Sequence, residues 1–170
     1  MLLNIFVGND LIKTDSLGNQ EWIHSDIYGR SVKQTNDGGY IIVSDVDFGV
    51  GSRIILIKTQ TDGTISWVNE SLSINMSNEW LRVSSVEQTN DGGYIICGYQ
   101  NGNIPYNMFL IKTNPQGIQQ WYQTFSGTSD DLGYSVQQTT DGGYIICGST
   151  WSSSVGWDVW LIKTDVSGNQ

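Results

Sequence analysis

Acid–base chemistry has few places to start in this chain. The single histidine, His24, is the only side chain whose ordinary pKa suits a general base near neutral pH. It stands two residues after Trp22 in a strand-like run, and no serine is marked out as its partner, so we read it as an ordinary edge-strand residue. Carboxylates are more plentiful: Asp26, Asp47, Glu79 and the Asp130-Asp131 pair fall between the strand-like runs. Two carboxyl groups at a set separation would suit glycoside hydrolysis, but that separation belongs to the fold and cannot be read from spacing. Asp45-x-Asp47 and Asp130-Asp131 supply too few oxygens for a calcium ion, which takes about six to eight. Only Arg30, Arg53 and Arg82 are present, so an arginine cluster gripping a carboxylate substrate would have to enlist all three. We assign no catalytic residue, no metal ligand and no cofactor.

The side chains with most to offer are aromatic. Trp80, Tyr99, Tyr106, Trp151 and Trp157 lie among Ser, Asn and Gly in stretches that differ from one part of the chain to the next. Such side chains give large rigid contact area beside adaptable hydrogen-bonding groups, which suits stacking on sugar rings or contact with a protein. These five are the candidate ligand-binding residues. The competing reading is that they cover strand ends.

What must position them is a repeat. The string Gln-Thr-x-Asp-Gly-Gly-Tyr-Ile-Ile begins at Gln34, Gln88 and Gln138, spacings of 54 and 50 residues. A second string, Leu-Ile-Lys-Thr, begins at Leu11, Leu56, Leu110 and Leu161, and Trp22, Trp67 and Trp121 each follow the first three by eleven residues. A period near 50 marks an array of one module, each copy burying its faces against its neighbours. Within a module, short runs of β-branched and aromatic residues bounded by Gly and Asp predict strands, and helix signals are absent. One module reads as a strand near 132–139, a tight turn at 140–143, strands at 144–148 and 158–164, and a second tight turn at 165–168. The last strand has its complete example at 119–125. Gly and Asp in the turns supply positive φ and bonds to nearby amides.

The predicted unit is therefore a four-stranded antiparallel meander. Alternate connections of a meander emerge at opposite ends, which places the unlike segments at one end of the array and the repeated tight turns at the other. Variable loops on a rigid frame are where binding is usually placed. The repeated Lys13, Lys58, Lys112 and Lys163 read as stems packed between modules with their heads at the rim. The repeated tryptophans read as packing. Module boundaries fall at 1–27 (partial), 28–80, 81–131 and 132–170 (partial), so the chain holds just over three modules, fewer than the roughly four to eight that close a ring. The incomplete last module suggests a piece of something longer, and its unpaired final strand is an edge open to self-association.

Bulk properties narrow the partners. Seventeen acids against eight bases give a net charge of −9, unsuited to nucleic acid or an anionic membrane surface. No apolar run approaches the roughly 20 residues of a membrane-spanning helix. The opening Met1–Gly8 run has no basic flank and reads as a strand. Cys97 and Cys147 both follow Tyr-Ile-Ile, where Val43 stands in the first copy, so the position asks for a small apolar residue and no disulfide is expected. Asn69-Glu70-Ser71 and Asn75-Met76-Ser77 fit the glycosylation triplet.

The module resembles the bacterial and archaeal β-propeller repeats built from an Asp-Gly-Gly-Tyr hairpin, then Leu-Ile-Lys-Thr-Asp, a Gly turn and a Trp. The likeness covers nearly the whole chain and is fullest at 133–168, with Asp141-Gly142-Gly143-Tyr144, Asp158 and Leu161-Ile162-Lys163-Thr164-Asp165. The Asp158 position is Asn107 and Arg53 in the earlier copies, so no ligand role attaches to it. More distantly the module is similar to the quinoprotein-type blade, whose quinone enzymes use a complete ring, a calcium site and adjacent cysteines that this chain does not reproduce. The resemblance implies an all-β fold of β-propeller blades, here a partial propeller of just over three. It also implies an extracellular or cell-surface setting. The expected function is a non-enzymatic scaffold or binding module for a protein or a glycan, acting through the end that bears the unlike loops. The alternative is a part of a propeller enzyme acting on glycans, with catalytic residues outside this chain.

Overall fold

The computed structural model describes residues 10–25, 27–47, 49, 51–72, 80–101 and 105–170. The expected strand at Met1–Gly8, and Asp26, Glu79 and the Asn75 triplet, lie outside the described residues.

Every regular element described is a β-strand, and together they form four antiparallel sheets. The first sheet pairs β1 (Leu11–Thr14) with β2 (Gln20–His24). The second runs β3 (Ser31–Gln34), β4 (Tyr40–Asp47), β5 (Ser52–Thr59) and β6 (Ile65–Leu72). The third runs β7 (Trp80–Gln88), β8 (Tyr94–Asn101), β9 (Asn107–Thr113) and β10 (Gln119–Phe125), and the fourth β11 (Asp131–Gln138), β12 (Tyr144–Ser152) and β13 (Gly156–Thr164). Strands pair in sequence order within each sheet, as the meander reading requires.

The strands run further than expected: Asp47, Trp80, Tyr99 and Asp131, read as lying between strands, fall within β4, β7, β8 and β11. The segment carrying Trp151 and Trp157, read as a loop, is ladder: β12 and β13 pair from Tyr144 with Thr164 out to Ser152 with Gly156. Only three residues, Ser153, Ser154 and Val155, connect them, and Gly156 at φ 93° makes the left-handed step that lets so short a loop close.

The repeated turn is also more than a turn. In its second copy, Thr89 N donates to Gly93 O and Gly92 N to Thr89 O, with Gly92 at φ 81°. Asp91 Oδ1 then accepts from Thr89 Oγ1 at 2.5 Å and from Gly93 N at 3.0 Å, while Lys112 Nζ donates to Asp91 Oδ2 and to Thr113 O, both at 2.8 Å. The other copies repeat the ion pair, Lys58 with Asp37 at 2.9 Å and Lys163 with Asp141 at 2.8 Å. The lysine heads were expected at the rim. Lys58 and Lys112 are instead buried beneath the hairpin, held by its aspartate. Only in the outermost fourth sheet is the lysine, Lys163, half exposed.

Sheets pack face to face. Ile41, Val43, Ile54 and Leu56 of the second meet Val86, Ile96, Phe109 and Ile111 of the third, while Ile95, Cys97, Met108 and Leu110 of the third meet Val136, Ile146 and Ile162 of the fourth. Middle strands of the second and third sheets are thus covered on both faces, which is why their apolar residues run consecutively. Tryptophan locks the seams. Trp67 of the second sheet stands edge-on to Tyr94 of the third, centroids 6.0 Å apart, and fills the space where a Cβ on Gly117 would sit, 2.7 Å away. Trp22 does the same with Tyr40 and Gly63, and Trp121 with Tyr144 and Gly168. At the turn end a glutamine bridges neighbours: Gln88 Oε1 accepts from Asn36 N of the preceding sheet at 2.8 Å, and Gln138 Oε1 from Asn90 N at the same distance.

Candidate binding surface

Register places the candidate residues at the strand ends opposite those turns. Trp80 begins β7 opposite Asn101 at the end of β8, and Arg82 lies opposite Tyr99. Tyr106 immediately precedes β9, and its ring stands edge-on to Tyr99, centroids 5.8 Å apart and planes at 86°. In the fourth sheet Trp151 and Trp157 are direct cross-strand partners. All five sequence-predicted residues therefore occupy the same end of the array.

Backbone geometry ties the two pairs together through Asp130. Its Oδ1 accepts from Tyr106 N at 2.8 Å and its carbonyl accepts from Trp151 N at 2.9 Å. Next to it, Asp131 N donates to Tyr106 O at 2.9 Å, and the buried Asp131 carboxylate accepts from Gly127 N through Oδ2. Among the described residues Asp131 Oδ1 has no hydrogen-bond partner. The two carboxylates thus anchor a loop to its neighbours, each in its own way.

Exposure separates the five. Trp80, Trp151 and Trp157 are 42%, 39% and 52% exposed, whereas Tyr99 and Tyr106 are half-buried at the mouth of the seam between the third and fourth sheets. Strand alternation puts Trp157 on the same face as Val159 and Leu161, and Trp151 on that of Cys147, which is the outer face of the fourth sheet. Trp80 makes no ring contact with the other four among the described residues.

The structure adds a charged cluster that sequence reasoning missed. Asp45, its side chain 3% exposed, accepts from Arg30 Nε at 2.8 Å and Nη2 at 3.3 Å, and from Arg82 Nη1 at 2.9 Å. Arg30 immediately precedes β3 of the second sheet and Arg82 lies in β7 of the third, so the carboxylate pins the seam and leaves two half-exposed arginine side chains around one anion. Local charge is positive in a chain that is otherwise acidic. The residues are 15 and 37 positions apart, and nothing in their spacing marks them. Asp47, weighed with Asp45 as a metal pair, instead accepts from Gly49 N at 2.7 Å in its own turn. Among the described residues no three His, Cys, Asp or Glu side chains group as metal ligands would.

Two further features sit elsewhere. His24 Nε2 donates to Gly63 O at 2.5 Å and its ring packs on Trp22, so it helps join the first sheet to the second. A cleft of about 290 Å³ between those sheets is lined mainly by Ile27, Val46, Ile57 and Val68, with His24, Ser25, Tyr28, Ser44 and Glu70 as polar members. It shares no residue with the aromatic and arginine groups. Asn69, the first glycosylation candidate, donates Nδ2 to Gly117 O at 2.7 Å and accepts from Ser71 N, so its amide is already used to join two sheets.

Set against protein-family models and against curated proteins, the chain matches none.

Proposed function

We propose that this chain is a β-propeller repeat array, of the kind its Asp-Gly-Gly-Tyr and Leu-Ile-Lys-Thr strings resemble. In this reading it acts as a non-enzymatic scaffold and binding module for a protein or a glycan. Four sequential antiparallel sheets stacked face to face support the architectural part. The observation that carries the binding part is the loop-bearing end. There the Tyr99–Tyr106 and Trp151–Trp157 pairs are joined through Asp130, and Arg82 stands opposite Tyr99. Aromatic faces stack on the apolar side of a sugar ring, and guanidinium groups take carboxylates in paired hydrogen bonds. Together they favour an oligosaccharide carrying acidic sugars over a neutral one, with an acidic protein loop as the equivalent protein partner.

The test is a titration of the chain with neutral and uronate-bearing oligosaccharides, followed by calorimetry and by assay for released reducing ends. Saturable binding that weakens about tenfold or more in Tyr106→Ala or Trp157→Ala, without turnover, is the expected result. Steady release of reducing ends by a homogeneous preparation would instead establish a propeller enzyme. Binding unchanged in every aromatic variant would remove this surface from consideration.

A further inference from the structure

Asp45 holds two arginines at once. Its carboxylate takes Arg30 from the side, through Nε and Nη2, and Arg82 through Nη1 alone. That leaves Nη1 of Arg30 and both Nε and Nη2 of Arg82 with no partner among the described residues. Each arginine side chain is 47% exposed and the aspartate 3%, so the anion lies underneath and the cations reach the surface. Two cations on one anion leave one net positive charge.

Sheet stacking does not call for this cluster. Arg30 and Asp45 stand four residues before and eleven after the repeated Gln34, positions filled by Ser84 and Tyr99 in the next module and by Tyr134 and Ser149 in the last. Tyr134 Oη and Ser149 Oγ share a neutral hydrogen bond at 2.9 Å in the same place. Arg82 corresponds to Leu132. The seam between the third and fourth sheets therefore has Tyr99 and Leu132 where the seam before it has Asp45 and Arg82, and it is packed all the same. A buried carboxylate held by cations adds little stability over an apolar pairing of similar size. What the cluster does supply is orientation, because guanidinium groups fixed in advance lose less freedom when a ligand binds.

We propose that Arg30 and Arg82 form an anion subsite for one singly charged group, the carboxylate of a uronic acid or the sulfate ester of a sulfated sugar, with Asp45 as the positioning residue beneath them. The sugar as carrier rests on the glycan reading above; the anion preference does not. Guanidinium N–H groups meet the oxygens of either group in paired, charge-assisted bonds. One net positive charge is balanced by one monoanion, and the acidity of the rest of the chain works against a polyanion. Arg82 has Tyr99 as its cross-strand partner, and the Tyr99 ring meets that of Tyr106, so aromatic side chains stand beside the subsite.

NMR of the isotope-labelled chain tests it, because the Nε–H signals of Arg30, Arg53 and Arg82 report separately and Arg30→Gln and Arg82→Gln assign them. Arg53 pairs with Val46 on the face of the second sheet that Ile55 and Ile57 share, turned from the third sheet, and serves as the internal control. Titration with sodium glucuronate and with methyl sulfate, at constant ionic strength, is expected to shift the Arg30 and Arg82 signals saturably with a common Kd of about 10 mM or tighter, while Arg53 drifts linearly. The anion that binds more tightly identifies the source of the charge. Arg30 and Arg82 signals that only drift in step with Arg53 mean ionic screening and would overturn the proposal. In calorimetric titrations the wild type should prefer a uronate-bearing oligosaccharide to a neutral one of equal length about tenfold, and Arg30→Gln should bring that ratio to about one. The backbone amide spectrum of the variant checks that it folds, and a preference that survives the substitution would also count against the subsite. Saturation by glucuronate with no oligosaccharide binding would leave the subsite standing and remove the glycan reading. Oligosaccharide binding without acid preference and without an arginine response would do the reverse.

Discussion

Lys112 Nζ lies 2.8 Å from Asp91 Oδ2, joining β9 to the hairpin between β7 and β8. The lysine is 4% exposed at its side chain and the aspartate 56%, so a buried cation is held by an anion at the surface. The aspartate also accepts from Thr89 Oγ1 and Gly93 N. It therefore orders the turn and neutralises the ammonium at once.

Acid should loosen this arrangement. The Lys58 ammonium and Thr35 hydroxyl beside Asp37 hold its carboxyl at about 2. Burial works against the charge on Asp91, but the bonds from Lys112, Thr89 and Gly93 outweigh it and hold that group at about 2 as well. Both are lowered in the folded state, so the unfolded chain binds more protons in this range and stability falls as pH drops. The loss begins near the ordinary carboxyl value of 3.8 and is complete below about 2. Urea midpoints between pH 2 and 6 should show that decline in the wild type and a shallower one in Asp91→Asn. An equally steep decline in the variant would count against the ion pair.

The two glycines of the repeated turn should fail differently. A Cβ on Gly93 would fall 2.1 Å from Thr113 O and 2.6 Å from Lys112 Nζ, whereas one on Gly92 would meet nothing nearer than Pro115 Cγ at 3.5 Å. Gly93→Ala must displace backbone and is expected to cost about 3 kcal/mol or more. Gly92→Ala meets only the penalty of φ 81°, about 1 kcal/mol. Chemical denaturation of both variants measures the difference, and near-equal losses would refute the assignment.

Trp67 is expected to matter as a wedge between modules. Trp67→Ala removes its contacts with Tyr94 and Gly117 and opens a cavity on the seam between the second and third sheets. A loss of about 2–3 kcal/mol follows for a large, partly buried aromatic. Trp67→Phe should retain part of it. Calorimetric unfolding is the readout, and a change below about 0.5 kcal/mol would make the residue incidental.

Asp45 should be worth more than either of its arginines. Asp45→Ala leaves Arg30 and Arg82 facing each other across the seam without their shared anion, and about 2–4 kcal/mol is expected. Arg30→Ala or Arg82→Ala alone leaves the carboxylate with one partner, at about 1 kcal/mol. A double-mutant cycle on the arginines, followed by urea denaturation, should show them coupled through Asp45.

Much of the strand pattern was legible because period-two strands and glycine turns are local properties. Gln119–Phe125 was read from sequence to the residue, and Tyr144 was placed at the head of its strand. The far ends of β12 and β13 were not, because Thr150, Trp151 and Ser152 suit a loop as well as a ladder, and only pairing with Gly156, Trp157 and Asp158 makes them strand. Of the candidate site, chemical type was legible and grouping was not. Trp151 and Trp157 are six residues apart, yet nothing in that spacing says they pair.

By itself the sequence determined the module, its strand order and the end at which unlike segments emerge, since each follows from repeats and from the alternation of a meander. Only the tertiary structure decided what the repeats are for. Asp91 and Lys112 are 21 residues apart and become an ion pair because β9 returns alongside the hairpin. Arg30, Asp45 and Arg82 meet because one sheet stacks on the next. Leu161 repeats Leu110 in sequence but not in burial, because burial depends on what packs against a face and identical side chains carry no record of their neighbours.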